Sequence, residues 1–250
     1  MKRTNLKTAA AIGLAGLALS ASSNAAITAL IDWSRAQVAP SPDTNGNHWN
    51  SLGSGTDLAT TTLASSTNTS TPWSIAVDNT GPSSGFSGAG VNGTVGATAP
   101  FNTTGANRPT TDGIFVNQNS VGTSLITITG LTPSSVYDFS AIGGRASGGN
   151  NGFIKVITGA FGSGGSDIDL IDSDNLLDTF TLLNNATILN FQVTADSSGV
   201  VAFRFFENDA VNNADNSATF NALSITGVPE PSTALLGGLG LLALLRRRRA

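Results

Sequence analysis

Apolar and polar residues alternate along much of the chain between residues 26 and 227, which is the pattern of β-strands with one buried face. The clearest example runs from Ile188 to Glu207, where two alternating runs flank the turn residues Asp196–Gly199 and predict a hairpin. Further strands are predicted at residues 27–33, 124–129, 135–142, 153–158 and 219–226. Because the strands are short and no helical pattern separates them, we expect an all-β, antiparallel β-sandwich.

Residues 52–109 interrupt this pattern. They are rich in Gly, Ser, Thr and Asn and hold only short apolar pieces such as Trp73–Val77. Residues of these types favour turns over regular elements. This part of the predicted domain is therefore expected to be loop-rich, with one or two strands.

The N-terminus has the three parts of an export signal. Lys2, Arg3 and Lys7 precede the apolar run Ala9–Leu19, and small residues lie before Ala26. We predict a helical signal peptide over residues 1–25, removed by signal peptidase, and a domain over residues 26–227. The alternative is a retained anchor, for which an apolar run of eleven residues is short.

The C-terminus has three parts as well. The triplet Pro229, Glu230 and Pro231 comes first, then the apolar residues 234–245, then Arg246, Arg247, Arg248 and Arg249. Proline fixes φ and removes a backbone donor, so the triplet is predicted to be extended and accessible. A helix of twelve residues spans only ~18 Å, against a hydrocarbon core of ~30 Å.

Residues 228–250 resemble a PEP-CTERM sorting signal, found on exported proteins of Gram-negative bacteria that make extracellular polysaccharide. The resemblance assigns residues 229–231 as the recognised triplet, 234–245 as a hydrophobic helix and 246–249 as a cytoplasmic stop. It implies processing by an exosortase-type enzyme, transient membrane contact, and delivery to the envelope, surface or matrix. An ordinary C-terminal tail anchor is the alternative.

Charge changes the picture once both ends are set aside. Seven of the 12 basic residues and one of the 16 acidic residues lie in the terminal segments, so the body carries a net charge of about −10. A surface this acidic is not expected to bind nucleic acid. The chain has no cysteine, so the exported body depends on its core or on bound ions for stability.

Calcium is the one ion the sequence favours. The densest acidic run contains Asp167, Asp169, Asp172 and Asp174, and closely spaced carboxylates suit Ca²⁺. The run lacks the glycine of an EF-hand loop. A solvated strand face and loop is therefore the competing interpretation, and no other cofactor is predicted.

Short motifs in the body are similar to a bacterial surface-domain family with a galactose-binding-like jelly roll. They are Ile31–Trp33, the loop Thr44–Asn50, the stretch Ile128–Phe139 and the closing Phe220–Ile225. The resemblance implies a jelly-roll-like sandwich, and some relatives bind sugars.

The inventory of reactive residues argues against catalysis. His48 is the only histidine, so a zinc site with several histidine or cysteine ligands is excluded. A Ser-His-Asp triad would need His48, which lies in a loop beside Trp49. Glu207 is the only glutamate of the body, although pairs of aspartates would suffice for glycoside hydrolysis. We therefore expect no enzyme, and keep a carbohydrate-active enzyme that uses Asp carboxylates as an alternative.

Sugar binding needs an exposed aromatic ring beside polar groups. The candidates are His48, Trp49 and Asn50 in one loop, with Trp73 and Arg145 elsewhere. In the competing interpretation, Trp49 plugs the sandwich and its neighbours cap turns. The predicted function is an exported, noncatalytic surface or matrix protein that binds extracellular polysaccharide. A purely structural, self-associating matrix protein is a further alternative.

Overall fold

The computed structural model describes residues 26–34, 41–53, 58–80, 85–87, 100–101, 113–117, 123–144, 152–164, 179–183, 187–207 and 217–227. Every regular element within these residues is a β-strand, which confirms the all-β prediction. None of the described residues forms a helix that is long and apolar enough to cross a membrane. The helices predicted for residues 1–25 and 234–245 lie outside the described residues.

Six of the predicted runs coincide with single strands, and the structure adds strands that the pattern did not predict. In chain order they are β1 (Thr28–Trp33), β2 (Asn50–Leu52), β3 (Leu58–Ala64), β4 (Ser70–Thr80), β5 (Gly85–Ser87), β6 (Gly113–Asn117), β7 (Thr123–Thr129), β8 (Val136–Ile142), β9 (Gly152–Thr158), β10 (Ala160–Gly164), β11 (Thr179–Leu182), β12 (Ile188–Thr194), β13 (Val201–Glu207), β14 (Ser217–Phe220) and β15 (Ala222–Gly227).

These strands form three sheets. Sheet A has the order β10-β12-β8-β15-β1-β2, sheet B has the order β11-β9-β13-β7-β4-β3, and sheet C has the order β14-β6-β5. Neighbouring strands are antiparallel, apart from the parallel pair β1–β2. Residues Ile27–Gly227 form one compact unit.

Sheets A and B pack face to face as a sandwich, because alternate side chains of both sheets enter one apolar core. Phe139 of sheet A meets Phe203 of sheet B edge to face, with ring centroids 5.0 Å apart. Such aromatic pairs add about 0.5–1.5 kcal/mol beyond the area that they bury. Apolar side chains of β6 and β14 in sheet C join the same core.

The predicted hairpin from Ile188 to Glu207 is wrong in its pairing, although both strands and the turn are correct. Strand β12 lies in sheet A between β10 and β8, whereas β13 lies in sheet B between β9 and β7. The turn at Asp196–Gly199 therefore links the two sheets as an arch. Phe191 and Phe203 face each other across the core, 5.7 Å apart, instead of lying side by side in one sheet.

The turn of this arch packs on a second arch, which joins β7 to β8. Asp196 accepts hydrogen bonds from the backbone N–H groups of Ser198 and Val200, at 2.8 and 2.9 Å. Gly199 has a φ of 72°, and its carbonyl accepts a bond from the N–H of Leu131 at 3.1 Å. A Cβ at position 199 would lie 2.1 Å from the carbonyl oxygen of Leu131. Only glycine fits at position 199, where the two arches are in contact.

Two further predictions need correction. The strand predicted at residues 219–226 divides at Asn221, since β14 belongs to sheet C and β15 to sheet A. Asn221 spans the break by donating its N–H to Ile142 and accepting a bond from Trp33.

Residues 52–109 hold three described strands, β3, β4 and β5, and β4 is eleven residues long. The segment therefore contributes more to the sheets than its composition indicated.

Candidate functional site

The loop before β2, which holds two of the predicted glycan contacts and leads directly into the third, Asn50, is organised around the buried carboxylate of Asp43. One oxygen of that carboxylate accepts the backbone N–H groups of Asn45 and Asn47, at 2.8 and 2.9 Å. The other accepts the indole N–H of Trp49 at 2.8 Å and the side-chain amide of Asn47 at 3.3 Å. This is an Asx-type turn with an added tryptophan contact, and it closes the loop on itself.

Two opposed effects act on the Asp43 carboxyl. Burial raises its pKa, but the hydrogen bonds from Trp49, Asn47 and Asn45 favour the charged form and together lower the pKa below its ordinary value. The group is thus a carboxylate whose acceptor sites are used within the loop.

Trp49 does not present its ring to solvent. The side chain is 2 % exposed and lies in a second apolar cluster with Leu30, Phe101, Ile142 and Ala222. Its ring centroid is 6.1 Å from that of Phe101. Because Leu30, Ile142 and Ala222 are on the outer face of sheet A, Trp49 covers part of that face. Trp49 therefore has the buried position of the competing interpretation, and its ring is not an exposed platform for a sugar.

Asn50 joins the edges of the two sheets. Its side-chain amide donates to the carbonyl oxygens of Leu30 and Ala64, at 2.9 and 2.8 Å, and its side-chain oxygen accepts the N–H of Ala64 at 2.8 Å. The side chain of Asn50, a residue of β2, therefore binds both the N–H and the C=O of Ala64 in β3, as the backbone of a paired strand would. Both amide hydrogens are used for this purpose, so the group is committed to closing the sandwich.

His48 directly precedes Trp49 and is half-buried. Its Nδ1 shares a hydrogen bond of 2.5 Å with the Ser41 hydroxyl, and that oxygen also accepts the N–H of Trp49 at 3.2 Å. Within the described part of the chain, no carboxylate binds the other imidazole nitrogen of His48. A catalytic triad uses such a carboxylate to orient its histidine.

The remaining aromatic candidate, Trp73, is 3 % exposed and packs edge to face on Tyr137, with centroids 5.7 Å apart. It belongs to the central core and offers no ring face to a ligand. Arg145 lies outside the described residues, as do Asp167, Asp169, Asp172 and Asp174. The described residues contain no group of three His, Cys, Asp or Glu side chains placed to hold a metal ion.

A row of charged residues on the outer face of sheet B was not singled out from the sequence. Arg204 of β13 lies directly opposite Lys155 of β9. On the other side Arg204 pairs with Leu125 of β7, which pairs with Asp78 of β4. The alternation in residues 201–207 places Arg204 on the polar face, but strand pairing was needed to bring Lys155 beside it.

Comparison with known proteins assigns the C-terminal segment. Residues 227–249 match the family model of the PEP-CTERM protein-sorting motif. The chain carries a PEP-CTERM sorting signal. The signal implies processing by exosortase and export to the cell surface or envelope. The match begins at Gly227, which is also the last residue of β15.

The comparisons are less informative for the body. No curated protein matches the chain. Among solved structures, the enzymatically active domain of tailspike protein 4 from bacteriophage CBA120 aligns at 6% identity with a TM-score of 0.28. The alignment covers 61% of this chain and 19% of that chain. A TM-score this low carries no argument about fold or function.

Proposed function

We propose that this PEP-CTERM protein is a noncatalytic component of the cell surface or extracellular matrix, and that it binds polysaccharide there. The observation that carries the proposal is the position of the sorting signal, which begins at the last residue of a β-sandwich. The cargo delivered by the signal is thus the sandwich. The proposal includes removal of residues 1–25 by signal peptidase, transient membrane contact and an envelope of the Gram-negative type.

The connectivity of the sandwich supports a binding role. Strands β1-β15-β8-β12 of sheet A face β7-β13-β9-β11 of sheet B, and the chain crosses repeatedly from one sheet to the other. We assign this order to the jelly rolls, a class that includes lectin domains. The link from fold to sugar binding is an analogy, since one fold hosts many functions.

Four of the six carboxylates in the described residues are held in structural contacts, which supports a noncatalytic role. Asp43 holds the loop before β2, Asp196 holds the turn after β12, and Asp138 accepts a bond of 2.7 Å from Gln192 on the neighbouring strand. Asp32 is buried and accepts a bond of 3.1 Å from Ser51. Asp138 and Asp32 tie neighbouring strands together, whereas Asp43 and Asp196 close their own loop and turn. Glycoside hydrolysis instead uses two carboxyl groups that flank an open cleft.

Export is tested by expressing the full chain in a host that contains an exosortase. We expect the protein at the cell surface or in the medium, with a mass that shows loss of the C-terminal segment. A Pro229→Ala, Pro231→Ala double variant should stay unprocessed in the cell membrane fraction. Equal processing of both chains would contradict the assigned role of the triplet.

Binding is tested with the purified protein on a panel of neutral and acidic polysaccharides. Retention by at least one polymer, without release of reducing sugars, is the expected result. No retention by any polymer would refute the binding role, and release of sugars would establish the carbohydrate-active alternative. Calcium binding by Asp167, Asp169, Asp172 and Asp174 is a separate proposal, and a fall in melting temperature with EDTA would support it.

A further inference from the structure

The chain enters and leaves the sandwich at the same end. Strands β1 and β15 are antiparallel neighbours in sheet A, and Thr28 lies opposite Thr226. One residue further out, the N–H of Gly227 donates to the carbonyl oxygen of Ile27 at 2.8 Å. Ile27 follows the predicted signal peptide by two residues, and Gly227 precedes Pro229 by two. Both segments that are directed to the membrane are therefore joined to the sandwich at one place.

Short turns complete this end of the sandwich. They are residues 65–69, 130–135, 159 and 195–200, which connect β3 to β4, β7 to β8, β9 to β10 and β12 to β13. We call the surface formed by Ile27, Gly227 and these four turns the terminal end. Strands β8 and β13 end at the opposite end, at Ile142 and Glu207, and longer connections of the chain begin there.

Exposed apolar side chains concentrate at the terminal end. Of the four large apolar side chains that are exposed among the described residues, Ile27, Val136 and Ile157 lie here and are 37–42 % exposed. Val136 is the first residue of β8. Ile157 lies at a bulge, where Val156 and Thr158 pair with consecutive residues of β13. One exposed apolar side chain is ordinary, but three of four at the end where the chain leaves for the membrane indicate a surface.

The terminal end carries little charge. Asp196 is the one charged residue in its four turns, and its carboxylate accepts two backbone N–H groups of its own turn. Asp138, two positions along β8 from Val136, accepts a bond from Gln192. The body as a whole has a net charge of about −10, so an anionic surface repels it. Attraction at the terminal end therefore comes from burial of apolar surface and not from charge.

We propose that the terminal end faces the lipid surface while the C-terminal signal holds the protein, with Ile27, Val136 and Ile157 inserted at the lipid–water interface. This inference rests on the transient membrane contact in the proposed function, and it adds which surface of the sandwich makes that contact. The ligand is the bilayer interface itself, which takes up apolar side chains to a depth of about 5–10 Å.

The length of the chain between sandwich and membrane supports this orientation. Six residues, 228–233, separate Gly227 from the apolar run, and they reach at most about 20 Å when extended. The headgroup region takes up about 5–8 Å of that reach. A seven-residue strand such as β8 is about 23 Å long. The opposite end of the sandwich is therefore out of reach of the lipid as long as the signal is attached.

A protein partner fits the terminal end less well. The three apolar side chains come from different strands of both sheets, and no two of these strands are paired. A protein interface has a contiguous apolar core. Separate side chains around one end of a sandwich can instead each enter a flat lipid surface.

The test measures which parts of the sandwich touch lipid. The chain has no cysteine, so single cysteines can be introduced and labelled with the fluorophore NBD. The full chain is reconstituted in phosphatidylcholine vesicles that contain nitroxide-labelled lipids. We expect Ile27→Cys, Val136→Cys and Ile157→Cys to lose emission, and to lose more with a nitroxide near the headgroup than with one deep in the acyl chain.

Three controls report the other orientations. Leu183→Cys is the matched control, because Leu183 is the fourth exposed apolar residue and follows β11, whose last residue Leu182 lies opposite Gly152 at the other end of the sandwich. Asn190→Cys and Arg204→Cys place the label on the exposed outer faces of sheets A and B. All three should keep their emission. Melting temperatures equal to that of the parent show that the labelled chains are folded.

The possible results separate the inference from the proposed function. Quenching at a control position but not at the terminal end would overturn the orientation. Protein that floats with the vesicles but is quenched at no position would overturn the lipid contact and leave membrane attachment through the signal intact. Labels at the terminal end that shift to the blue with rising protein concentration, without quenching by lipid, would identify a second copy as the occupant. Protein that does not float with vesicles would remove the membrane contact of the proposed function and this inference with it.

Discussion

Asn50 provides the sharpest test of how the sandwich is closed. Its side chain makes three hydrogen bonds, of 2.8 to 2.9 Å, to backbone groups of Leu30 and Ala64, and it is 8 % exposed. Each buried hydrogen bond contributes about 1 kcal/mol net, and backbone groups left without partners cost more. Asn50→Ala should therefore lower the free energy of unfolding by about 3 kcal/mol. That is a large share of the roughly 5–15 kcal/mol typical of a domain.

Asn50→Asp should be at least as destabilising, although it preserves the size of the side chain. The substitution removes both amide hydrogens and sets a carboxylate oxygen against the carbonyl oxygens of Leu30 and Ala64. A buried charge with a single donor, here the N–H of Ala64, is among the most costly changes in a core. The comparison separates lost hydrogen bonding from lost volume.

The measurement is urea unfolding of residues 26–227, followed by the fluorescence of the buried tryptophans. Asn190→Ala is the matched control, because Asn190 is exposed and its one bond among the described residues runs across the sheet surface to Ser140. The control should stay within about 0.5 kcal/mol of the parent. If Asn50→Ala proves as mild as Asn190→Ala, the amide does not hold the two edges together.

Three further predictions concern the turns and the loop before β2. Gly199→Ala should lower the free energy of unfolding by several kcal/mol, since a Cβ would lie 2.1 Å from the Leu131 carbonyl oxygen. Gly46→Ala is the control, because Gly46 also has a positive φ, of 82°, but nothing lies near its Cβ; it should cost only about 1–2 kcal/mol. Equal losses in urea unfolding would contradict the clash at position 199. Asp43 has a lowered pKa in the fold, so its stabilising effect is present above roughly pH 4, the unfolded value, and is lost as pH falls through the folded value. Asp43→Asn should flatten the acid limb of unfolding free energy against pH, and an unchanged slope would show that the group is not linked to folding. Trp49→Ala should cost about 3–5 kcal/mol in unfolding free energy and leave polysaccharide retention of the folded protein unchanged, whereas selective loss of retention would restore Trp49 as a ligand contact.

The site could be predicted only in part, for physical reasons that differ between residues. The polar loop around Trp49 has the composition of a sugar site, and composition does not distinguish a ring that stacks on a ligand from one that covers Leu30 and Ile142. Asn50 reads as a polar loop residue, but its partners are backbone groups 14 and 20 positions away. The Arg204–Lys155 pair joins residues from strands that are distant in sequence.

The sequence by itself determined many of the strands, their inward faces and the export of the protein. Period-2 alternation is local, because successive side chains of any strand point to opposite faces. The sorting signal is also local, since its triplet, apolar run and arginines act as a continuous segment, and residues 227–249 match the family model.

Only the tertiary structure decided which strands pair. An arch and a hairpin place the same alternate residues in the core, so the pattern around Asp196–Gly199 fits both. What separates them is the packing of Phe191 and Phe203 from opposite sheets and the neighbours that β12 and β13 find elsewhere. These contacts are long-range and depend on the whole sandwich. For that reason the burial of Trp49 and the charged row on sheet B could be seen in the tertiary structure but not predicted from the sequence.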